Sequence, residues 1–339
     1  MRYLPSPPKQ ITLCGHVVPL DDPFIAEQLD REFVIMVHDQ AQVVMWLKRA
    51  ARYFPYISQE LKANGLPDDL KYLAVAESSL LHRVTSPAGA TGVWQFMEAT
   101  GRQYGLHKDS YVDNRRNPEK STAAAIAYLK HLHRLFNSWP LAMAAYNCGE
   151  RRLMNEMKEQ DQSDYFELYL PQETTRYIYR IIAAKIILQN PEAYGYQLPH
   201  TERYRIPSAD RVAVDLNQPL HLRNVARHVN CSLRRLRDLN PELITHYLPP
   251  GKHVFLVPSG QADNFKRYVA NVQKMQKTTY NVTAKSSSDS QTRKWVVGRG
   301  DTLSSIASKT GVSVQRLRQA NGLTNSRIKI GQTLRIPAR

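Results

Sequence analysis

The sequence predicts a mainly α chain, in which an all-helical region over residues 20 to about 195 is followed by two small α+β units. Three observations predict it. Apolar residues recur at helical spacing through Phe24, Ile25, Leu29, Phe33 and Met36, and again through Val43, Val44, Leu47 and Ala51. Helix-start signals also recur, at Pro67-Asp68-Asp69, Asn117-Pro118-Glu119 and Trp139-Pro140, where proline suits the first turn and acidic side chains suit its positive end. Finally, the texture changes past Gly195, and residues 225–240 align without gaps with residues 306–321.

In chain order, residues 23–65 read as helical and end at Asn64-Gly65. A helix from Pro67 to about Glu77 is expected to bury Leu70, Leu73 and Ala74, with Asp68 and Asp69 as first-turn charges. SPAGATG then marks an irregular loop, in which two glycines let the backbone pass close to a ligand. A helix from Val93 to Tyr104 would follow, with Trp94 and Gln95 in its first turn. The helix from Asn117-Pro118 presents Ala124, Ala125, Tyr128, Leu132 and Leu135 on one face, and His131 and His133, two apart, point to different sides and so do not suggest a shared metal. The helix from Trp139 reaches AAYNCG, with Gly149 as its cap. After a polar segment, Pro171 to about Gln189 forms a long helix with Ile178, Ile181, Ile182 and Ile186 in the core.

Beyond Arg203, the strand-like pieces RYRIP and HVFLVP flank two short helical patterns. The later repeat shares Ala226/Ala307, Ser232/Ser313, Arg235/Arg316, Leu236/Leu317, Arg237/Arg318 and Asn240/Asn321. Each copy closes on a glycine, an apolar strand and a proline, over Gly251–Pro258 and Gly331–Pro337. Between the copies lie an amphipathic segment from Phe265 to Met275 and the polar linker AKSSSDSQT. The expected organisation is therefore an N-terminal helical extension (1–54), a helical domain (55–200), a first α+β unit (203–260), the amphipathic segment and linker (261–292) and a second unit (293–338).

The 339 residues, 42% of them hydrophobic, can bury a sizeable core in two or three domains. Of the net charge of +16, residues 261–339 carry +12, from 15 Lys and Arg against 3 Asp and Glu. A basic tail of this kind suits a polyanion. Cys14, Cys148 and Cys231 are far apart and form no CxxC pair, so buried free thiols are expected, without a disulfide framework or a zinc site. Ile11 to Leu20 is too short and broken for a signal core, Cys14 follows Leu13 where a lipoprotein signal favours a small residue, and no stretch is apolar enough for a membrane helix.

Four ordered motifs carry a resemblance: Glu77-Ser78, GATGVWQFM at 89–97, AAYNCG at 144–149 and ETTRYIYRI at 173–181, with VDNRRNPEKSTAAAIAYL between the second and third. Together they resemble the catalytic domain of lytic murein transglycosylases, closest to the membrane-bound type D branch, within the goose-type lysozyme superfamily. WVVGRGDTLSSIASKTGVSVQRLRQANGLTNSRIKIGQTLRIP resembles a LysM domain, a βααβ module that binds N-acetylglucosamine-containing glycans. The earlier copy has Asn217-Gln218-Pro219-Leu220 where the last has Gly300-Asp301-Thr302-Leu303, so it is read as a degenerate LysM-like unit. The implied fold is a lysozyme-like all-helical catalytic domain followed by small LysM-type modules.

Cleaving a glycosidic bond requires protonation of a poor leaving oxygen, which a glutamic acid of raised pKa can supply. Glu77 is the candidate. Most glycosidases use a second carboxylate, yet none is tied to the matching motifs, and Glu98 reads as a surface residue. The resemblance implies that Glu77 acts twice, first as acid toward the leaving oxygen and then as base on the C6 hydroxyl of the same N-acetylmuramic acid, giving a 1,6-anhydro product. It also implies roles for Tyr177 in orienting Glu77, for Ser78, Gln95, Tyr146 and Asn147 in substrate binding, and for Gly300, Asp301, Thr302, Leu303, Asn321 and Ile330 around the LysM groove. Ser78 alternatively reads as a helix-end cap, Tyr177 as core, and Trp94 and Phe96 as core. No metal or cofactor is implied. The implied partner is the peptidoglycan strand rather than nucleic acid, in the periplasm or cell envelope, with possible peripheral attachment to the envelope. Two other readings share this sequence, a hydrolytic muramidase using Glu77 and a non-catalytic wall-binding protein.

Overall fold

The computed structural model describes residues 5–274 and 293–337, so AKSSSDSQT and Met275 lie outside the described residues. The chain divides between Tyr268 and Val269 into two units.

The first unit opens with a small hairpin, β1 (Thr12–Leu13) and β2 (His16–Val17), paired antiparallel. It is followed by α1 (Pro23–His38), α2 (Gln40–Ala63), α3 (Lys71–Ser78), α4 (Glu98–Gln103), α5 (Pro118–Phe136), α6 (Trp139–Cys148), α7 (Glu150–Gln160) and α8 (Gln172–Gln189). These helices enclose one continuous core in which Leu29, Phe33, Leu61, Leu73, Trp94, Leu129, Ala144 and Ile178 are buried.

The N-terminal elements belong to this core. Glu32 on α1 is buried and receives Arg176 Nε at 2.6 Å and Arg180 Nε at 3.4 Å from α8, as well as the guanidinium of Arg31. A buried carboxylate persists only with such compensation. Lys185 on α8 ties down the hairpin, donating to Asp69 Oδ2 at 2.8 Å and to Thr12 O at 2.5 Å, while Cys14 N donates to the same Asp69 oxygen at 2.7 Å. Asp69 is thus more than a first-turn charge. Attracted to Lys185, it lies in a 3₁₀ turn over Asp68–Leu70, and the α-helix begins only at Lys71. Leu70, Leu73 and Ala74 are fully buried.

Several expected elements differ. Residues 23–65 break into two helices at Asp39, whose carboxylate accepts from Gln42 N at 3.0 Å and so caps α2. The helix expected from Val93 starts at Glu98, because Thr91 and Phe96 exchange backbone hydrogen bonds of 3.0 and 3.2 Å and close a turn across Gly92–Gln95. α7 lies within the segment read as merely polar. Only Leu153 of its eleven residues is buried, too few apolar positions for periodicity to reveal. Leu135 on α5 is exposed. RYRIP is not a strand, since Tyr204 N donates to Lys48 O and Arg205 O accepts from Arg52, which holds the segment against α2. The three cysteines are free but half-buried rather than buried, at the β1–β2 turn, the end of α6 and the residue preceding the Ser232 cap. Among the described residues no helix is long and apolar enough to cross a membrane.

The first βααβ module completes this unit. β3 (Ala209–Leu216) pairs antiparallel with β6 (Gly251–Pro258), and β4 (Leu220–His221) pairs with β5 (Tyr247–Leu248). Between them, α9 (Leu222–His228) and α10 (Leu233–Leu239) supply Leu222, Val225 and Leu236 to a core with Val212, Phe255 and Val257. A helix over 262–274, α11, follows and packs Phe265 on Phe255 at 5.2 Å.

The second unit repeats the plan with β7 (Arg293–Val296), α12 (Leu303–Thr310), α13 (Val314–Ala320) and β8 (Thr333–Ile336), β7 pairing antiparallel with β8. The repeated asparagine explains part of the echo. Asn240 amide donates to Leu236 O and Leu256 O and its carbonyl accepts from Leu256 N, all at 2.8 Å. Asn321 makes the same three bonds to Leu317 O, Arg335 O and Arg335 N. In each copy one side chain staples the second helix to the last strand.

Candidate active site

Glu77 occupies the last turn of α3, which ends because Ser79 adopts a left-handed conformation (φ +54°) and returns its N–H to Val75 O. Leu80 is left-handed as well (φ +61°) and buried, so the chain reverses at once. The side chain of Glu77 is half-buried. Burial raises its carboxyl pKa from 4.5 to about 7 against the opposing effect of a hydrogen bond from Tyr177, and the Glu173 carboxylate raises it further. A position at the negative end of the helix dipole acts in the same direction.

Three helices converge here. Tyr177 on α8 donates its hydroxyl to Glu77 Oε1 at 2.5 Å across 100 residues of sequence. Tyr146, in the last turn of α6, donates to Trp94 O at 2.8 Å. Burial lifts both phenols well above their ordinary pKa, and the Glu77 charge adds to this. They therefore act as neutral donors at neutral pH.

The loop from Leu80 to Met97 forms the wall beside Glu77. Ser78 is buried and works within the protein: its Oγ donates to Val93 O at 2.7 Å and accepts from Leu81 N at 3.2 Å, joining the loop's start to its far side. Trp94 is fully buried and donates to Thr122 Oγ1 at 2.9 Å. Gln95, left-handed at φ +47°, is the partly exposed residue in an otherwise buried run over 91–96, and its amide donates to Gly92 O at 2.7 Å. Asn147 is exposed, one residue beyond Tyr146. Glu77, Tyr177 and Tyr146 thus come together, Ser78 and Gln95 hold the loop, and Asn147 faces solvent.

Three features escaped the sequence reading. Arg115 is buried and donates to Gly89 O and Phe96 O, both at 3.0 Å, clamping the two ends of GATGVWQF. Asp113, also buried, holds that guanidinium through bonds of 2.9 and 2.7 Å. The adjacent arginines in VDNRRNP were a signal without a destination. Glu173 is the second, at the head of ETTRYIYRI. It is a carboxylate linked to a matching motif after all, one helical turn before Tyr177, and Arg180 holds it at 2.7 Å. The third is a row of rings beside Tyr146, with Tyr128 at 5.1 Å, Phe96 at 6.0 Å, and Tyr104 in turn 4.9 Å from Tyr128. Glu98 pairs with Lys108 and Arg102 on the surface.

The two influences on Glu77 are separable. Tyr177→Phe removes a bond that favours the carboxylate and should raise the Glu77 pKa. Glu173→Gln removes a nearby negative charge and should lower it. Carboxyl-carbon NMR titration of the two variants should show displacements of opposite sign.

In the second unit, Gly300 takes φ +90° and Asp301 accepts from Trp295 Nε1 and Gly298 N, both at 3.0 Å. Thr302 caps α12 in a reciprocal box with Ser305, Leu303 is core, Asn321 is the staple described above and Ile330 is exposed. Of the residues expected to bind glycan, Gly300, Asp301 and Thr302 thus shape the turn before α12, while Leu303 and Asn321 work within the fold.

The Transglycosylase SLT domain matches residues 54–169, the LysM-like domain of lytic transglycosylase MltD matches 210–274, and the LysM domain matches 296–337. The chain is 35% identical over 298 residues to membrane-bound lytic murein transglycosylase D of Escherichia coli (strain K12), covering 86% of this chain and 64% of that protein. It is 39% identical over 100 residues to peptidoglycan transglycosylase gp16 of Escherichia phage T7, covering 29% of this chain and 8% of that protein. Among solved structures, an inactive mutant of lytic transglycosylase Slt from Pseudomonas aeruginosa aligns at 24% identity with a TM-score of 0.33, over 44% of this chain and 26% of that chain. The chain thus spans less than two thirds of the length of membrane-bound lytic murein transglycosylase D.

Proposed function

We propose that the chain is a lytic transglycosylase acting on peptidoglycan, a reading supported by the match of residues 54–169 to the Transglycosylase SLT domain and of residues 296–337 to the LysM domain. The reaction is cleavage of the β-1,4 bond between N-acetylmuramic acid and N-acetylglucosamine, leaving 1,6-anhydro-N-acetylmuramic acid ends. The observation that carries this reading is Glu77, an acid poised near pH 7 under the hydroxyl of Tyr177.

Protonated Glu77 gives its proton to the leaving glycosidic oxygen as the bond to the anomeric carbon breaks. The resulting carboxylate is stabilised by the Tyr177 hydroxyl. It then takes the proton of the C6 hydroxyl as that oxygen bonds to the same anomeric carbon, which returns Glu77 to its acid form. No water is consumed. Glu173, held by Arg180, opposes a charge on Glu77 and so favours its return to the acid form. Gln95, Tyr146 and Asn147 are the residues proposed to bind the substrate.

The C-terminal unit holds the enzyme on the wall in the cell envelope, with the basic charge of residues 261–339 adding attraction to anionic polymer. A chain ending at residue 292 should lose sedimentation with insoluble wall, while its turnover of soluble glycan strands stays within about twofold, as expected for binding remote from the reacting bond. Equal sedimentation of both chains would remove the tether from this reading. Mass spectrometry of digested peptidoglycan tests the chemistry. Anhydro ends are expected, reducing ends would assign hydrolysis, and no cleavage would leave a wall-binding protein.

A further inference from the structure

The first βααβ module does not stand apart from the helical domain. Its α10–β5 connection adds a short antiparallel contact to the segment before Arg115: Val112 bridges Leu243, Asp113 N donates to Glu242 O at 2.8 Å, and Ile244 N donates to Tyr111 O at 2.9 Å. Val112, Leu243 and the side chain of Glu242 are buried there. A second contact holds the other flank of the catalytic loop. Arg83, six residues past Glu77, pairs with Asp238 at 3.0 Å and donates to Arg237 O at 2.6 Å, at the end of α10.

These contacts lead to the loop beside Glu77. Asp113, whose N–H is held by the module, also holds the Arg115 guanidinium, and Arg115 grips Gly89 O and Phe96 O. The docked segment is also informative by register. With residues 225–240 aligned on 306–321, the connection after Asn240 corresponds to the one after Asn321, which in the C-terminal unit is expected to border a glycan groove. In the first module that edge is spent on the helical domain.

We propose that residues 209–258 are a brace, which positions the catalytic loop over 84–96 through Arg83 and the Asp113–Arg115 clamp, and that this module does not read glycan with the edge its repeat would use. The kinetic part rests on the transglycosylase reading above. The structural part does not.

The test uses the full chain. Leu243→Asp places a charge in the docked edge. Backbone hydrogen exchange over residues 84–96 should then lose protection while that of α8 is retained, a result independent of any activity. On soluble glycan strands kcat should fall about tenfold or more, as expected for a mispositioned site, with KM and sedimentation on insoluble wall little changed. Should Leu243→Asp fail to fold, a charge swap serves. Arg83→Asp and Asp238→Arg should each lower kcat up to about fivefold, the range of an exposed ion pair, and the double variant should recover it. Unchanged protection over 84–96 in Leu243→Asp, or failure of the double variant to recover, would overturn the brace. Loss of wall sedimentation in Leu243→Asp with kcat intact would overturn it in favour of glycan reading. Absence of anhydro product from the unmodified chain would sink the transglycosylase reading alone, with hydrogen exchange still deciding the brace.

Discussion

Replacing Glu77 with Gln is expected to lower the rate of anhydro-end formation by about 10³-fold or more, because in the proposed reaction one side chain supplies both proton transfers and general acid–base catalysis contributes roughly 10²–10⁴-fold. The amide keeps an acceptor for Tyr177 but carries no transferable proton. The pH dependence of stability includes a contribution from the same pKa. A carboxyl group raised from 4.5 to about 7 disfavours its own ionisation in the folded protein, by on the order of 3 kcal/mol at pH well above 7. That cost is absent below pH 4.5, where the group is protonated both folded and unfolded, and it grows as pH rises to about 7. The Gln variant should therefore melt at or above the wild-type temperature at pH 8, while remaining inactive. An inactive variant that melts lower would point to structural damage instead. In the wild type, the limb of the pH–rate profile that needs the acid form should fall through about pH 7.

Gly92→Ala should be the most damaging conservative change in the catalytic loop. A Cβ at residue 92 would lie 1.9 Å from Arg115 O and 2.8 Å from its carbonyl carbon, both backbone atoms, and φ is +89°. Neither neighbour can rotate away, and Arg115 is fixed by its own bonds to Asp113, Gly89 and Phe96. The loop must move or the segment around Arg115 must open, so a stability loss of about 3 kcal/mol or more and at least ~10²-fold in turnover are expected. Gly89→Ala is the control. Its φ is +90° but nothing lies within 4 Å of the added carbon, so only backbone strain of about 1–2 kcal/mol applies. Thermal melts and turnover of the two variants should differ clearly. Equal effects would mean that φ, and not the close approach to Arg115, governs this loop.

Much of the site was legible before the fold was known. Glu77, Tyr146 and Tyr177 sit in ordered motifs, and the helices that present them carry start signals and apolar faces dense enough to read. Legibility failed where local preference was outvoted. Residues 93–97 have helical character, yet Thr91 and Phe96 pair across Gly92–Gln95 and Arg115 holds Phe96 O. α7 hides in a polar stretch because Leu153 is its one buried residue, with Met157 only half-buried against the core. Asp69 reads as a helix-start charge until Lys185 is found beside it, 116 residues along the chain.

The linear pattern is enough to establish a helical domain, two copies of one βααβ unit, a basic tail and a carboxylate at the end of a helix, because these depend on spacing and composition over a few turns. It could not establish the state of that carboxylate. The pKa near 7, the partnership with Tyr177, the opposing charge of Glu173 and the Arg115 clamp all arise from burial and from contacts between distant residues, and electrostatic energy depends on distance and desolvation in space. Glu77 was nameable as a residue type in a motif, but its poise as an acid at neutral pH is a property of the packed protein around it.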